Sequence, residues 1–383
     1  MLERNLTVAI CRHLRREIDF RLLEGRHEPF YRARMKLAAL ALGLALLGGC
    51  DNKNKDSIKF ANEAAKAYGQ KQWDTAIERY TKATEKWKDN HTAWYGLSAA
   101  YSQRREWGKA ADAAAQAVSL EPEISMYQLM YGRALYEKAI QQAKEDQARK
   151  ENKKIEEVEP ELSTTNFEKP LQHLQQAIKL TPELWRAHYL IGNIHRYAGR
   201  TKESADAFSA SLAFGPTEPA PWIALCELYR AWDYTDQAIA VAQQGALVIP
   251  GDTEKSDIWF EVGMGFDDKR NDEKAIEAFD KALDSKKDNH KAKFARGQAY
   301  YRKGSASSSE SARSDAYAKA KRDLEEFSKA GGASVEFFKQ QASRMLMDMA
   351  AKSAGAAGGT PGQKMSPADL VKKAEEDKKG GKK

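Results

Sequence analysis

Along residues 57–330 the apolar and small positions recur with a period of 34, without the strict alternation of a half-buried strand. Counting repeats from Ser57, His91, Ser125, Trp185, Pro219, Ser256 and His290, the fourth place holds Phe60, Trp94, His188, Trp222 and Trp259. The eighth place is small: Ala64, Ser98, Gly132, Gly192, Cys226, Gly263 and Gly297. Aromatics stand at the eleventh in Tyr101, Tyr229, Phe266 and Tyr300, and alanine at the twentieth in Ala76, Ala110, Ala238, Ala275 and, after an insertion, Ala320. Places four, eight and eleven share one helical face, and the twentieth opens a second helix that brings Tyr80, Phe208 or Phe279 four residues on. Pro122, Pro182, Pro216 and Pro250 close units, where a missing N–H ends a helix. The pattern predicts paired helices over 57–90, 91–124, 125–184, 185–218, 219–252, 256–289 and 290–330.

This arrangement of a fourth-place Trp, eighth-place Gly, eleventh-place Tyr, twentieth-place Ala and closing Pro resembles the tetratricopeptide repeat. The resemblance implies an all-α fold, a right-handed superhelical solenoid of about seven helix pairs in which each pair buries its apolar face on its neighbours. Two features depart from it: Pro170 stands where the twentieth-place alanine of repeat three belongs, and the first unit lacks the eleventh-place aromatic. Repeat three is split by about 26 residues at 140–165, and two-thirds of the stretch from Lys144 to Glu161 is charged. That insertion either lengthens both helices or forms a solvated loop. Repeat seven is split by a Ser-rich turn around 305–309. Val335, Phe337, Phe338, Met345, Leu346 and Met349 predict a capping helix over 333–352, and 353–383 reads as a flexible tail rich in Lys, Gly and Ala.

Ahead of the repeats, residues 35–49 have one Lys, an apolar run too short to span a bilayer, and a small-residue end, the features of a secretory signal. Leu47, Gly48, Gly49 and Cys50 resemble a bacterial lipobox, which implies a lipoprotein cleaved before Cys50 and acylated on its sulfur, with 50–56 as a tether. Two or more acyl chains anchor a protein stably. An Asp after the lipidated Cys, as Asp51 stands here, keeps enteric lipoproteins on the inner membrane, while other lineages sort differently, so inner and outer membrane both stay open. Residues 1–34 carry eight Arg and no Lys, and read either as translated upstream sequence before a start at Met35 or as a long basic n-region.

Charge and cysteine usage narrow the function. The net charge of +7 falls to about +3 once the +3 of residues 1–34 and Lys36 are set aside, which removes the main support for nucleic acid as a partner. With Cys50 acylated, Cys226 is alone in the body of the chain, so packing and not a disulfide holds it. There is no H-E-x-x-H, G-x-S-x-G, phosphate loop or zinc-spaced cysteine cluster. His188 and His195, seven residues apart, are about 10 Å apart along a helix, too far for one metal, and fall at places that pack between paired helices. No catalytic residue, metal, cofactor or small-molecule substrate is expected.

In the tetratricopeptide family the first helix of each pair lines a groove through its second, fifth, ninth, twelfth and thirteenth places. Here the resemblance assigns them to Tyr95, Arg133, Tyr136, Tyr189, Asn193, Arg196, Tyr197, Glu227, Arg230, Phe260, Met264, Phe294, Tyr301 and Arg302. Arginines and aromatics are the residues that carry binding energy at interfaces. The central set suggests an extended protein segment with its backbone on Asn193 and its carboxylates on Arg196 and Arg230. The expected function is a periplasm-facing, membrane-anchored scaffold lipoprotein of an envelope machine for secretion, pili, motility or outer-membrane assembly. A soluble cytosolic adaptor resembling co-chaperones is the alternative, and a noncatalytic subunit regulating an enzyme in the groove is a third class.

Overall fold

The computed structural model describes residues 52–329 and 336–356, within which there are fifteen α-helices and no strand. They divide at Pro250 and Gly251 into two units. The first unit contains α1 (Asn52–Gly69), α2 (Trp73–Lys86), α3 (His91–Gln103), α4 (Trp107–Leu120), α5 (Ser125–Glu151), α6 (Glu168–Leu180), α7 (Trp185–Tyr197), α8 (Thr201–Phe214), α9 (Pro219–Ala231) and α10 (Thr235–Val248). The second contains α11 (Asp252–Asp268), α12 (Asp272–Ser285), α13 (His290–Ala306), α14 (Glu310–Ser328) and α15 (Glu336–Ala356). In each unit a first helix packs on its own second helix and on the second helix of the pair before.

The eighth place holds the pairs together, as its small size predicts. A Cβ on Gly192 would lie 2.5 Å from the ring of Phe208, and one on Gly263 2.3 Å from that of Phe279. Where the eighth or twentieth place carries a hydroxyl or thiol, that group ties the two helices. Ser98 Oγ donates to the Ala110 carbonyl (2.8 Å), Ser204 Oγ to Gly192 (2.9 Å), and the buried thiol of Cys226 contacts the Ala238 carbonyl at 3.5 Å. Cys226 is thus a packing residue.

Two helices start a turn earlier than the repeat pattern predicts: α1 at Asn52 and α11 at Asp252, instead of Ser57 and Ser256. Residues expected as a tether are therefore helical from Asn52. The reason lies in the two serines, which do not cap but turn inward. Ser57 Oγ donates to the Ala83 carbonyl (2.7 Å) and accepts from Asn90 Nδ2 (2.8 Å), while Asn90 Oδ1 caps α3 at Ala93 N (3.1 Å). Ser256, Ala282, Asn289 and Ala292 repeat the same bonds. Each staple satisfies helix-end groups that water no longer reaches.

The fifteenth place, between paired helices, takes a left-handed conformation at Lys71 (φ 60°), Arg105 (57°), Gly199 (69°), Asp233 (61°) and Arg270 (57°). Side chains disfavour this region by about 1–2 kcal/mol, part of which glycine gives back as unfolded-state entropy. Arg270→Gly is expected to stabilise the second unit by about 0.5–1 kcal/mol, read as a rise in its urea midpoint.

The insertion in repeat three lengthens only the first of its two helices. α5 runs 27 residues to Glu151, and the chain returns over 152–167 with Val158 and Phe167 buried. Pro170 is accommodated in the first turn of α6, where its absent N–H has no intrahelical partner to lose. In repeat seven the insertion extends both helices and leaves only 307–309 between them. α15 lies over the last pair through Ala342, Met345, Leu346 and Met349, and runs to Ala356 where 352 was expected. Val335, the side chain of Phe337 and residues 357–383 are outside the described residues.

Candidate functional site

In the first unit the first helices of successive repeats touch along one face. Gln103 Nε2 donates to Tyr68 Oη (3.1 Å), Tyr136 Oη to Tyr197 Oη (3.4 Å), and Arg196 Nη1 to Glu227 Oε2 (2.8 Å). These contacts bring together the central residues assigned to the groove: Tyr136 from α5, Tyr189, Asn193, Arg196 and Tyr197 from α7, and Glu227 from α9. Helical spacing puts Tyr189, Asn193, Arg196 and Tyr197 on one side of α7.

The charges there are largely satisfied from within. Arg196 pairs with Glu227 and lies 5.5 Å over the Tyr197 ring, so it is not an open receptor for a carboxylate. Arg230 is half-buried and Arg133 exposed. Tyr136, 5% exposed, is held neutral: burial, then the neighbouring Tyr197 phenol, push its ionisation well above the usual range. Tyr95 is buried against Tyr127 at 5.1 Å and belongs to the core more than to an open surface.

Two groups stand out by what they lack. Asn193 is 3% exposed, and its amide oxygen has no donor among the described residues. A buried acceptor without a partner costs about 1–3 kcal/mol. Glu137, next to Tyr136, is half-buried, so its carboxylate lacks full hydration. Burial raises its pKa, and the fields of Arg133 and Arg105 only partly offset the effect. Because its folded-state pKa lies above that of the unfolded chain, stability falls as pH rises through the carboxylate range, and the penalty is fully present at neutral pH. Glu137→Gln is therefore expected to be more stable than the parent at neutral pH and to lose that advantage below about pH 4, by urea unfolding at both.

Sequence reasoning missed Glu137 and Phe167. Phe167 ends the insertion and packs at 5.5 Å on Tyr136 and 5.8 Å on Tyr197, so the insertion supplies an aromatic to this face. Its only sequence signal is an apolar residue closing a charged stretch. His188 and His195 are half-buried. His188 bonds the Pro182 carbonyl and stacks on Phe214, and His195 accepts from Arg200 Nε.

In the second unit the assigned residues are largely taken up by its own packing. Phe260 packs on Phe279, Phe294 is buried against Phe327, and Met264 joins the core beside them. Arg302 pairs with Asp267 and Asp272. Tyr301 Oη donates to Asp348 of α15 (2.6 Å), so the closing helix covers the place where a partner was expected. Leu47, Gly48, Gly49 and Cys50 lie outside the described residues. Among the described residues no helix is long and apolar enough to cross a membrane, and no group of His, Cys, Asp and Glu is placed to hold a metal ion.

A family model for the tetratricopeptide repeat matches residues 61–120, 162–219 and 266–328. Among solved structures, the APC/C hetero-tetramer Cut9–Hcn1 is similar at 15% identity over 64% of this chain, with a TM-score of 0.47. The match spans 43% of that chain, under half its length. A thermophilic tetratricopeptide protein of Thermus thermophilus is 19% identical over 55% of this chain and 98% of its own, with a TM-score of 0.41. YrrB, described as having an unusual peptide-binding site, is 21% identical over 63% of this chain and 92% of its own, with a TM-score of 0.33. Likenesses this distant say nothing about partners. No curated protein matches the chain in sequence. The shared 34-residue period, the helix pairs it produces and the matched family model establish that the chain carries tetratricopeptide repeats.

Proposed function

We propose that the protein is a scaffold that holds an extended segment of a partner protein on the first-helix face of its first unit, while an acylated Cys50 fixes it to an envelope membrane with the repeats in the periplasm. The observation that carries the binding reading is the buried, donorless amide oxygen of Asn193, one helical turn from Tyr189 and from Tyr197 on α7. A scaffold that binds nothing there gains no return for that cost. The anchor reading is supported by the apolar run from Lys36 and the Leu-Gly-Gly-Cys sequence that ends it. α1 begins at Asn52, two residues after Cys50, so an acylated protein would hold its first unit close to the bilayer.

The test is metabolic labelling with a fatty-acid analogue, together with a photocrosslinker in place of Tyr189. Label on the intact chain and none on Cys50→Ala, with envelope components crosslinked only when the anchor is present, is the expected result. An unlabelled chain in the soluble fraction, crosslinked to cytosolic proteins, would replace this reading with that of a soluble adaptor.

A further inference from the structure

α1 packs on α2 and α3, and its far side is bare: Lys55, Lys59, Asn62 and Lys66 are all exposed. At about 100° per residue these four fall within roughly 60° of one another, on one helical face about 16 Å long. No acid stands among them. Asp56 lies about a quarter-turn around the helix, and Glu63, the acid between Lys59 and Lys66 in sequence, pairs with Arg79 of α2 at 3.4 Å.

Other exposed lysines of the chain are answered by an acid four residues before them: Lys82 by Glu78, Lys281 by Glu277, Lys319 by Asp315 and Lys352 by Asp348. On α1 that place is held by Lys55 before Lys59 and by Asn62 before Lys66. The arrangement works against the helix. Like charges four residues apart repel, and Lys55 stands in a first turn without an acid, where the helix dipole disfavours a cation. α1 begins at Asn52, two residues after Cys50, so acyl chains on that sulfur hold this helix close to the bilayer. A negatively charged bilayer surface offsets both repulsions, and it acts within a Debye length, the range in which the anchor keeps α1.

We propose that the exposed face of α1 lies along the bilayer, with Lys55, Lys59 and Lys66 on the phosphates of anionic phospholipid headgroups, so that anchor and face together fix the orientation of the first unit. This rests on the anchor reading of Cys50. A protein held by acyl chains alone would turn about its attachment point; three lysines spread along a rigid helix remove that freedom.

The experiment uses the acylated protein, purified from membranes and placed in vesicles of phosphatidylcholine alone or with three parts in ten of phosphatidylglycerol. A dye that brightens where water is excluded is carried on Asn62→Cys, the thiol of Cys226 being buried. Its emission is expected to be about twofold higher on the anionic vesicles, and to fall to the neutral-vesicle level in about 0.5 M salt while the protein stays bound. Lys55→Gln, Lys59→Gln and Lys66→Gln together should abolish the difference and leave the melting temperature unchanged or raised. Glutamine at Lys150, Lys154 and Lys179, all exposed in the first unit, removes the same charge elsewhere and should leave the difference intact. Equal emission on the two vesicles, a response that the α1 variant retains, or one that the control variant also loses would overturn the proposal. A photocrosslinker at residue 62 that joins a protein and no phospholipid would give the face to another occupant. Failure of the anchor is read separately: a chain that takes up no fatty-acid label removes both readings, whereas a labelled chain with an insensitive dye loses the contact alone.

Discussion

Asp323→Ala is expected to strip the second unit of most of its stability, about 3–5 kcal/mol, while the first unit is unaffected. Asp323 is 1% exposed on α14 and receives Arg296 bidentately, Nε on Oδ2 and Nη2 on Oδ1, both at 2.7 Å. A third bond runs from Arg296 Nη1 to Asp280 Oδ1 at 2.6 Å, so one guanidinium ties α12, α13 and α14. Removing the buried carboxylate leaves Arg296 with only the more exposed Asp280, and a half-buried cation without its main counter-ion is strongly destabilising. Hydrogen exchange on the intact chain reads each unit separately: protection in α12, α13 and α14 should fall by roughly 150- to 5,000-fold, with α1 to α10 unchanged. A loss under about tenfold would mean that the pair contributes no more than a surface bridge. The double variant Asp323→Leu with Arg296→Met should recover much of the loss, because exchanging a whole buried pair for apolar volume is often neutral.

That network shows where the sequence was and was not legible. The helix pairs were readable because a small eighth place recurs in all seven and alanine at the twentieth in five, so the constraint repeats and the period exposes it. Asp280 of repeat six and Arg296 and Asp323 of repeat seven leave no periodic trace; in a chain so rich in charge, nothing distinguished a buried aspartate from a solvated one. The same holds for the face around Asn193. Its members could be assigned by place, but their pairing could not, and Arg196 read as an open cation because Glu227 lies 31 residues away in the next repeat. Phe167 was hidden by sitting in an insertion outside the period. Lys71, Arg105 and Arg270 concealed the left-handed turn that Gly199 alone would have signalled.

The periodic constraint can be tested where it is tightest. Large residues at the twenty-fourth place go with glycine at the eighth, as in Gly192 with Phe208 and Gly263 with Phe279, whereas Ser98 and Cys226 face the alanines Ala114 and Ala242. Ala64 breaks the rule because the Tyr80 ring passes it and reaches Gly96, 2.3 Å from where a Cβ would stand. Gly263→Ala should gain about 1 kcal/mol of helix propensity. It also drives a methyl to 2.3 Å from the fully buried Phe279 ring, which has nowhere to turn. The strain outweighs the propensity, and a net loss of about 2 kcal/mol is expected. Gly108→Ala makes the same chemical change with nothing within 4 Å and should be neutral or stabilising. Phe279→Ala alone should cost about 3–5 kcal/mol through the cavity it leaves. Gly263→Cys with Phe279→Ala rebuilds the arrangement of Cys226 and Ala242, and should be at least about 1.5 kcal/mol more stable than the sum of its two single changes. Simple additivity would mean that the two places do not determine each other, and that the small residue at the eighth place answers to some other neighbour.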